Sequence, residues 1–78
     1  MGQKKQNRKL VKRFYKSHTG WKFNAMRIIN WGADRPGFSE LRKFSEDEME
    51  RILNELKVKG FLVIVSNNHS KVYRQKMH

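Results

Sequence analysis

The chain has 78 residues, no cysteine, and nine aromatic side chains drawn from two tryptophans, two tyrosines and five phenylalanines. That length allows one small domain with one core, and without thiols neither a disulfide nor a thiolate metal site can staple it, so apolar packing must hold the fold. Eighteen Lys and Arg against seven Asp and Glu leave a net charge of +11, more than solubility requires of a small domain, which directs attention to polyanionic partners.

The opening MGQKKQNRKL is basic with no apolar stretch after it, unlike a secretory signal. No apolar run approaches the roughly 20 residues of a membrane span. Cytoplasm or nucleoid is therefore the expected compartment, with no membrane partner. The charge is unevenly spread: residues 1 to 30 hold nine basic residues and no acid, residues 31 to 56 hold four basic and all seven acidic residues, and residues 57 to 78 hold five basic and no acid. Two cationic ends flank an acidic middle, an arrangement that would hold a polyanion from the ends inward.

In chain order, residues 3 to 16 predict a basic amphipathic helix. Leu10, Val11, Phe14 and Tyr15 share one side, and Lys5, Arg8, Lys9, Lys12, Arg13 and Lys16 occupy the other. Its apolar stripe fits either the core of its own chain or the seam of a homodimer, and both stay open at this stage. Ser17-His18-Thr19-Gly20 ends the helix, and Ser17 or Thr19 is the expected cap of a second helix over roughly 21 to 32. There Trp21, Ala25, Ile28, Ile29 and Gly32 form one stripe, while Phe23 and Trp31 lie off it and are expected to meet the first helix. Asp34-Arg35-Pro36-Gly37 interrupts as a loop.

FSELRKF follows as a short helix with Ser39 as its expected cap and Leu41 and Phe44 inward. Ser45 with Glu48 three residues on is a capping box, and Met49, Ile52, Leu53 and Leu56 recur at helical spacing, so a helix is expected over 46 to 59, ended by Gly60. FLVIVS and KVYRQK, joined by Asn67-Asn68-His69-Ser70, read as a β-hairpin. Pairing Ser66 with Lys71 would set Ile64 opposite Tyr73. A one-residue slip stays open, because FLVIV is apolar on both faces.

GFSELRK followed by ERILNELKVKGFLV resembles the winged helix-turn-helix superfamily, in which a short helix precedes a longer one that runs through a Leu-x-x-x-Gly junction into the wing. The resemblance covers residues 21 to 76. It implies an α+β, mainly α, architecture: a winged-helix domain over 21–78 preceded by an extra basic N-terminal helix or extension over 1–20, one compact domain overall, with a C-terminal β-hairpin wing. It also implies DNA binding, the longer helix toward the major groove and the wing toward the minor groove or the backbone.

On the longer helix Asp47, Glu50, Arg51, Asn54, Glu55 and Val58 are expected on or near the outward face. Arg51 suits guanine and Asn54 adenine. Three acids around one arginine weigh against base reading, so the backbone contacts are expected from Arg8, Lys9, Lys12, Arg13 and Lys16 on the first helix, Lys57 and Lys59 at the end of the longer helix, and Lys71, Arg74 and Lys76 on the wing. Double-stranded DNA is thus the expected partner of a transcriptional regulator or DNA-associated accessory factor. Two alternatives are an adaptor that docks a basic protein on Asp47, Glu50 and Glu55, and an RNA binder that stacks bases on Trp31 or Phe23. No enzyme is expected: Ser17-His18 lacks a third group to orient it, no glycine-rich phosphate loop occurs, and His18, His69 and His78 do not show metal spacing. No cofactor is expected.

Overall fold

The computed structural model describes residues 2 to 76. Three α-helices, two short 3₁₀ helices and a small antiparallel sheet make up an α+β, mainly helical chain. Helix α1 (Gly2–Ser17) is followed by strand β1 (Lys22–Phe23), helix α2 (Ala25–Asn30), 3₁₀ helices at Gly32–Asp34 and Ser39–Lys43, helix α3 (Glu46–Val58), and the hairpin of β2 (Leu62–Ser66) and β3 (Val72–Gln75). Among the described residues, no helix is long and apolar enough to cross a membrane.

The apolar side of α1 lies in the core of its own chain: Val11, Phe14 and Tyr15 are fully buried and Leu10 nearly so. A homodimer seam through α1 is therefore left without the apolar residues that suggested it. Phe14 is the hub, with its ring centroid 4.8 Å from Phe23, 5.3 Å from Phe38 and 4.5 Å from His18. Gly32 permits that position, since a Cβ there would meet the Phe14 ring at 3.0 Å. The Tyr15 hydroxyl donates to the carbonyls of Tyr73 at 3.1 Å and Phe23 at 3.5 Å, tying α1 to two strands. Burial raises its phenol well above the ordinary value, with smaller contributions from Tyr73 and Glu50, so it stays protonated and can donate.

The segment expected as one helix over 21 to 32 is divided. Asn24, rather than Ser17 or Thr19, caps α2 by accepting from the Arg27 amide at 2.8 Å. Before it, Lys22 and Phe23 are extended and pair with Arg74 and Tyr73 of β3. A two-residue strand is too short to carry a period, and pairing with β3 outweighs helical spacing there. Ala25, Ile28, Ile29 and Gly32 are buried as expected, whereas Trp21 falls outside the helix and is exposed. In the next element Phe38, rather than Ser39, takes the cap position without a side-chain bond, while Leu41 and Phe44 point inward.

Helix α3 has the capping box of Ser45 and Glu48, and it buries Met49, Ile52, Leu53 and Leu56. Gly60, at φ +87°, turns the chain into β2 with a backbone that a side chain would strain. The sheet order is β1-β3-β2. Ile64 does face Tyr73, but Ser66 pairs with Val72 instead of Lys71, because one extra residue of β2 is accommodated between Ile64 and Ser66. Phe23, Tyr73 and Ile64 share the inner face of the sheet, and Lys22, Arg74 and Val63 the outer one.

Candidate nucleic-acid interface

Helix α3 buries one stripe, so its opposite ridge is set by geometry. At 100° per residue Asp47, Arg51, Asn54 and Val58 fall within an arc of about 60°, and all four are exposed. Glu50 lies to one side of this ridge and Glu55 to the other.

On the side of the β2–β3 hairpin, the expected wing, Glu50 is half-buried and borders a groove with Asn54, His69, Lys71 and Tyr73. One carboxylate oxygen of Glu50 and the Tyr73 hydroxyl are buried without a hydrogen-bond partner among the described residues. Burial first, and then the neighbouring Glu50, raise the Tyr73 phenol above its usual value. The carboxylate is thus turned toward the wing rather than outward. On the other side Glu55 accepts from Arg8 of α1 at 3.3 Å, with both side chains partly screened from water. Of the three acids expected on the outward face, Asp47 alone is fully exposed without an ion pair among the described residues. The sequence therefore overstates the free negative charge on this ridge, since Glu50 is half-buried and Glu55 is paired.

The cations divide into groups. Lys5, Arg8, Lys9 and Lys12 of α1 border a common groove with Lys59, just past the end of α3. Arg8 is committed to Glu55, which leaves the lysines as the open charges, and the Lys12 ammonium also lies 5.3 Å from the centre of the Phe61 ring. Arg51 faces the neighbouring cleft between α3 and Asn7 of α1. Lys9, Lys12, Arg13 and Lys16 continue the basic surface along α1. Within it Arg13 donates to the Gly37 carbonyl at 3.1 Å and packs its guanidinium over Phe38 at 5.3 Å, so it is partly held by the fold.

Lys71 is exposed at the wing groove with Asn54. Arg74 and Lys76 do not join it: Arg74 is half-buried on the outer face of the sheet, opposite Lys22, and donates to the Gln75 carbonyl at 3.1 Å. Lys76 shares that face by strand alternation. Lys57 is half-buried on the side of α3 away from α1. One contributor, Lys22, escaped sequence reasoning, and Lys59, expected beside the hairpin cations, lies with the α1 lysines instead. Lys59 joins the α1 lysines only through the packing of α1 against α3, and Lys22 joins Arg74 only through the unrecognised strand β1. The lack of acids around Lys22 was the one available signal for it.

The α3 ridge thus carries one fork of donors at Arg51 and one amide at Asn54, between a lysine-lined shoulder from α1 and a second from the wing. That arrangement can meet phosphate oxygens on both sides and base edges between them. No protein-family model, curated protein or solved structure matches this chain.

Proposed function

We propose that the chain is a small winged helix-turn-helix protein that binds duplex DNA, acting in the cytoplasm or nucleoid as a transcriptional regulator or DNA-associated accessory factor. The observation that carries the reading is the exposed Arg51–Asn54 ridge of α3 flanked by the lysines of α1 with Lys59 on one side and by Lys71 of the wing on the other. The sheet order β1-β3-β2 supports the wing assignment, because it holds the β2–β3 hairpin against the body of the domain at the edge of α3. The turning of Glu50 and the pairing of Glu55 support a role for α3 itself, since they reduce the repulsion that its five acids would bring to a phosphate backbone, with Glu46, Asp47 and Glu48 staying exposed. The lysines supply sequence-independent affinity, and Arg51 with Asn54 supplies preference.

Selection of tight binders from a random duplex pool, followed by anisotropy titrations over a range of salt, tests this. Arg51→Ala should lose about 1–3 kcal/mol of preference for the selected sequence over random duplex while keeping the salt slope. A flat salt titration of the wild-type protein would overturn duplex binding. Unchanged preference in both Arg51→Ala and Asn54→Ala would remove base reading by α3.

A further inference from the structure

The chain exposes one of its largest apolar side chains at a place that the α3 interface does not use. Trp21, just before β1, is 51% exposed. It is nevertheless held in a fixed orientation. Its ring is nearly parallel to that of Trp31, 5.5 Å away at 20°, and to that of Phe23, 6.0 Å away at 18°. Phe23 and Trp31 are themselves stacked at 5.7 Å and 24°. His18 stands edge-on to the two tryptophans at 5.6 and 5.4 Å, and its Nδ1 donates to the Phe14 carbonyl at 2.8 Å, which fixes the imidazole as a buttress. The core already contains Phe14, Phe23 and Phe38 at this point, so Trp21 extends an aromatic layer outward instead of closing it.

The rim of this layer is cationic. The Arg35 guanidinium lies over the Trp31 ring at 4.8 Å. Arg27 lies one helical turn before Trp31, whereas Lys22, next to Trp21 in the chain, belongs to the opposite face of β1. Arg27 and Arg35 are exposed, and neither has a carboxylate partner among the described residues. The one acid next to Arg35 in the chain, Asp34, is occupied by Arg42. The basic side of α1 leads to the same end of the molecule, with Lys5, Lys9, Lys12 and Lys16 at helical spacing along one face and His18 directly beyond them.

An aromatic face with a half-open ring, flanked by guanidinium groups, matches the chemistry of an unpaired nucleotide: the base stacks and its phosphates meet the rim. An anionic lipid surface would also accept a tryptophan with basic neighbours, but it calls for an apolar patch to insert, whereas here one half-open ring lies parallel to two others, the geometry on which a base stacks. We propose that Trp21, stacked on Trp31 and flanked by Arg27 and Arg35, is a platform for a base of single-stranded nucleic acid. It is separate from the α3 ridge and does not depend on duplex binding there.

Both tryptophans of the chain lie in the platform, so tryptophan fluorescence, excited selectively over Tyr15 and Tyr73, reports on this site. Titration with oligothymidylate or oligouridylate at low salt should quench that fluorescence, whereas an abasic phosphodiester chain of equal length should bind more weakly and leave it nearly unchanged. Trp21→Ala should weaken the thymidylate complex by about 5- to 150-fold, the range for loss of one stacked base. Trp21→Leu, which keeps apolar cover without a π face, should lose affinity similarly, with circular dichroism showing both variants folded. Duplex affinity and its salt slope should be the same in Trp21→Ala as in the wild type. Preference for thymidylate or uridylate would tell a DNA strand from an RNA strand, and either outcome supports the platform. Equal binding of the abasic chain, unchanged thymidylate affinity in folded Trp21→Ala, or equal loss of duplex and single-strand binding in that variant would each overturn it, the first two leaving a protein or lipid contact as the role of Trp21.

Discussion

Replacing Glu55 by glutamine is expected to make duplex binding steeper in salt, although an uncharged residue takes the place of a charged one. Glu55 holds the Arg8 guanidinium at 3.3 Å, and the two side chains are 39% and 25% exposed. A pair with that much solvent access contributes only about 0.2–1 kcal/mol to stability, so the fold should tolerate its loss. Binding should respond more strongly. A freed Arg8 beside Lys5, Lys9 and Lys12 adds one cation to the α1 groove. Each additional phosphate contact steepens the dependence of log K on log salt by about 0.9, which over a fourfold change in salt corresponds to about a three- to fourfold change in K. Arg8→Gln should leave the slope nearly where it was, because that arginine is already neutralised by Glu55, whereas Lys12→Gln should flatten it by about 0.9. Anisotropy of a labelled duplex between about 50 and 200 mM salt resolves slopes of this size. If Arg8→Gln flattens the slope as much as Lys12→Gln, or if Glu55→Gln leaves it unchanged, the ion pair does not hold Arg8 away from phosphate and the reasoning fails.

Two further predictions concern the fold that positions this surface. Gly32→Ala drives a methyl group into the Phe14 ring at 3.0 Å, and that ring is confined by Phe23, Phe38 and His18, so the variant should lose about 1–3 kcal/mol in urea denaturation; an unchanged midpoint would show that Phe14 can yield. The capping box gives a pH dependence: the Ser45 amide donates to the Glu48 carboxylate and, with a smaller effect of the Ser45 hydroxyl beside it, holds that carboxyl below its ordinary range. A depressed folded-state value means that this stabilisation is present above the unfolded glutamate value, about 4.3, and is lost as pH falls through the folded value. Acid denaturation profiles of the wild type and Glu48→Gln should therefore diverge above that window and converge below it, and superimposable profiles would contradict the assignment.

Local chemistry alone determined the elements whose signals are short-range. Ser45 and Glu48 are three residues apart, and Met49, Ile52, Leu53 and Leu56 keep one helical stripe, so α3 was legible with its start and its buried face. The same held for the basic and apolar sides of α1 and for the existence of the hairpin, whose register stayed open because FLVIV is apolar on both faces. What required the tertiary structure was anything settled by a partner distant in sequence. Strand β1 exists because β3 arrives to pair with Lys22 and Phe23, and no two-residue pattern announces that. Whether the Leu10–Tyr15 stripe is core or seam was decided by the aromatic rings that close over Phe14. The electrostatic character of α3 changed most. A count of its carboxylates treats all of them as facing outward, but charge acts through distance and solvent, and packing of α1 and the wing brings Arg8 to Glu55 and buries one oxygen of Glu50 beside Tyr73.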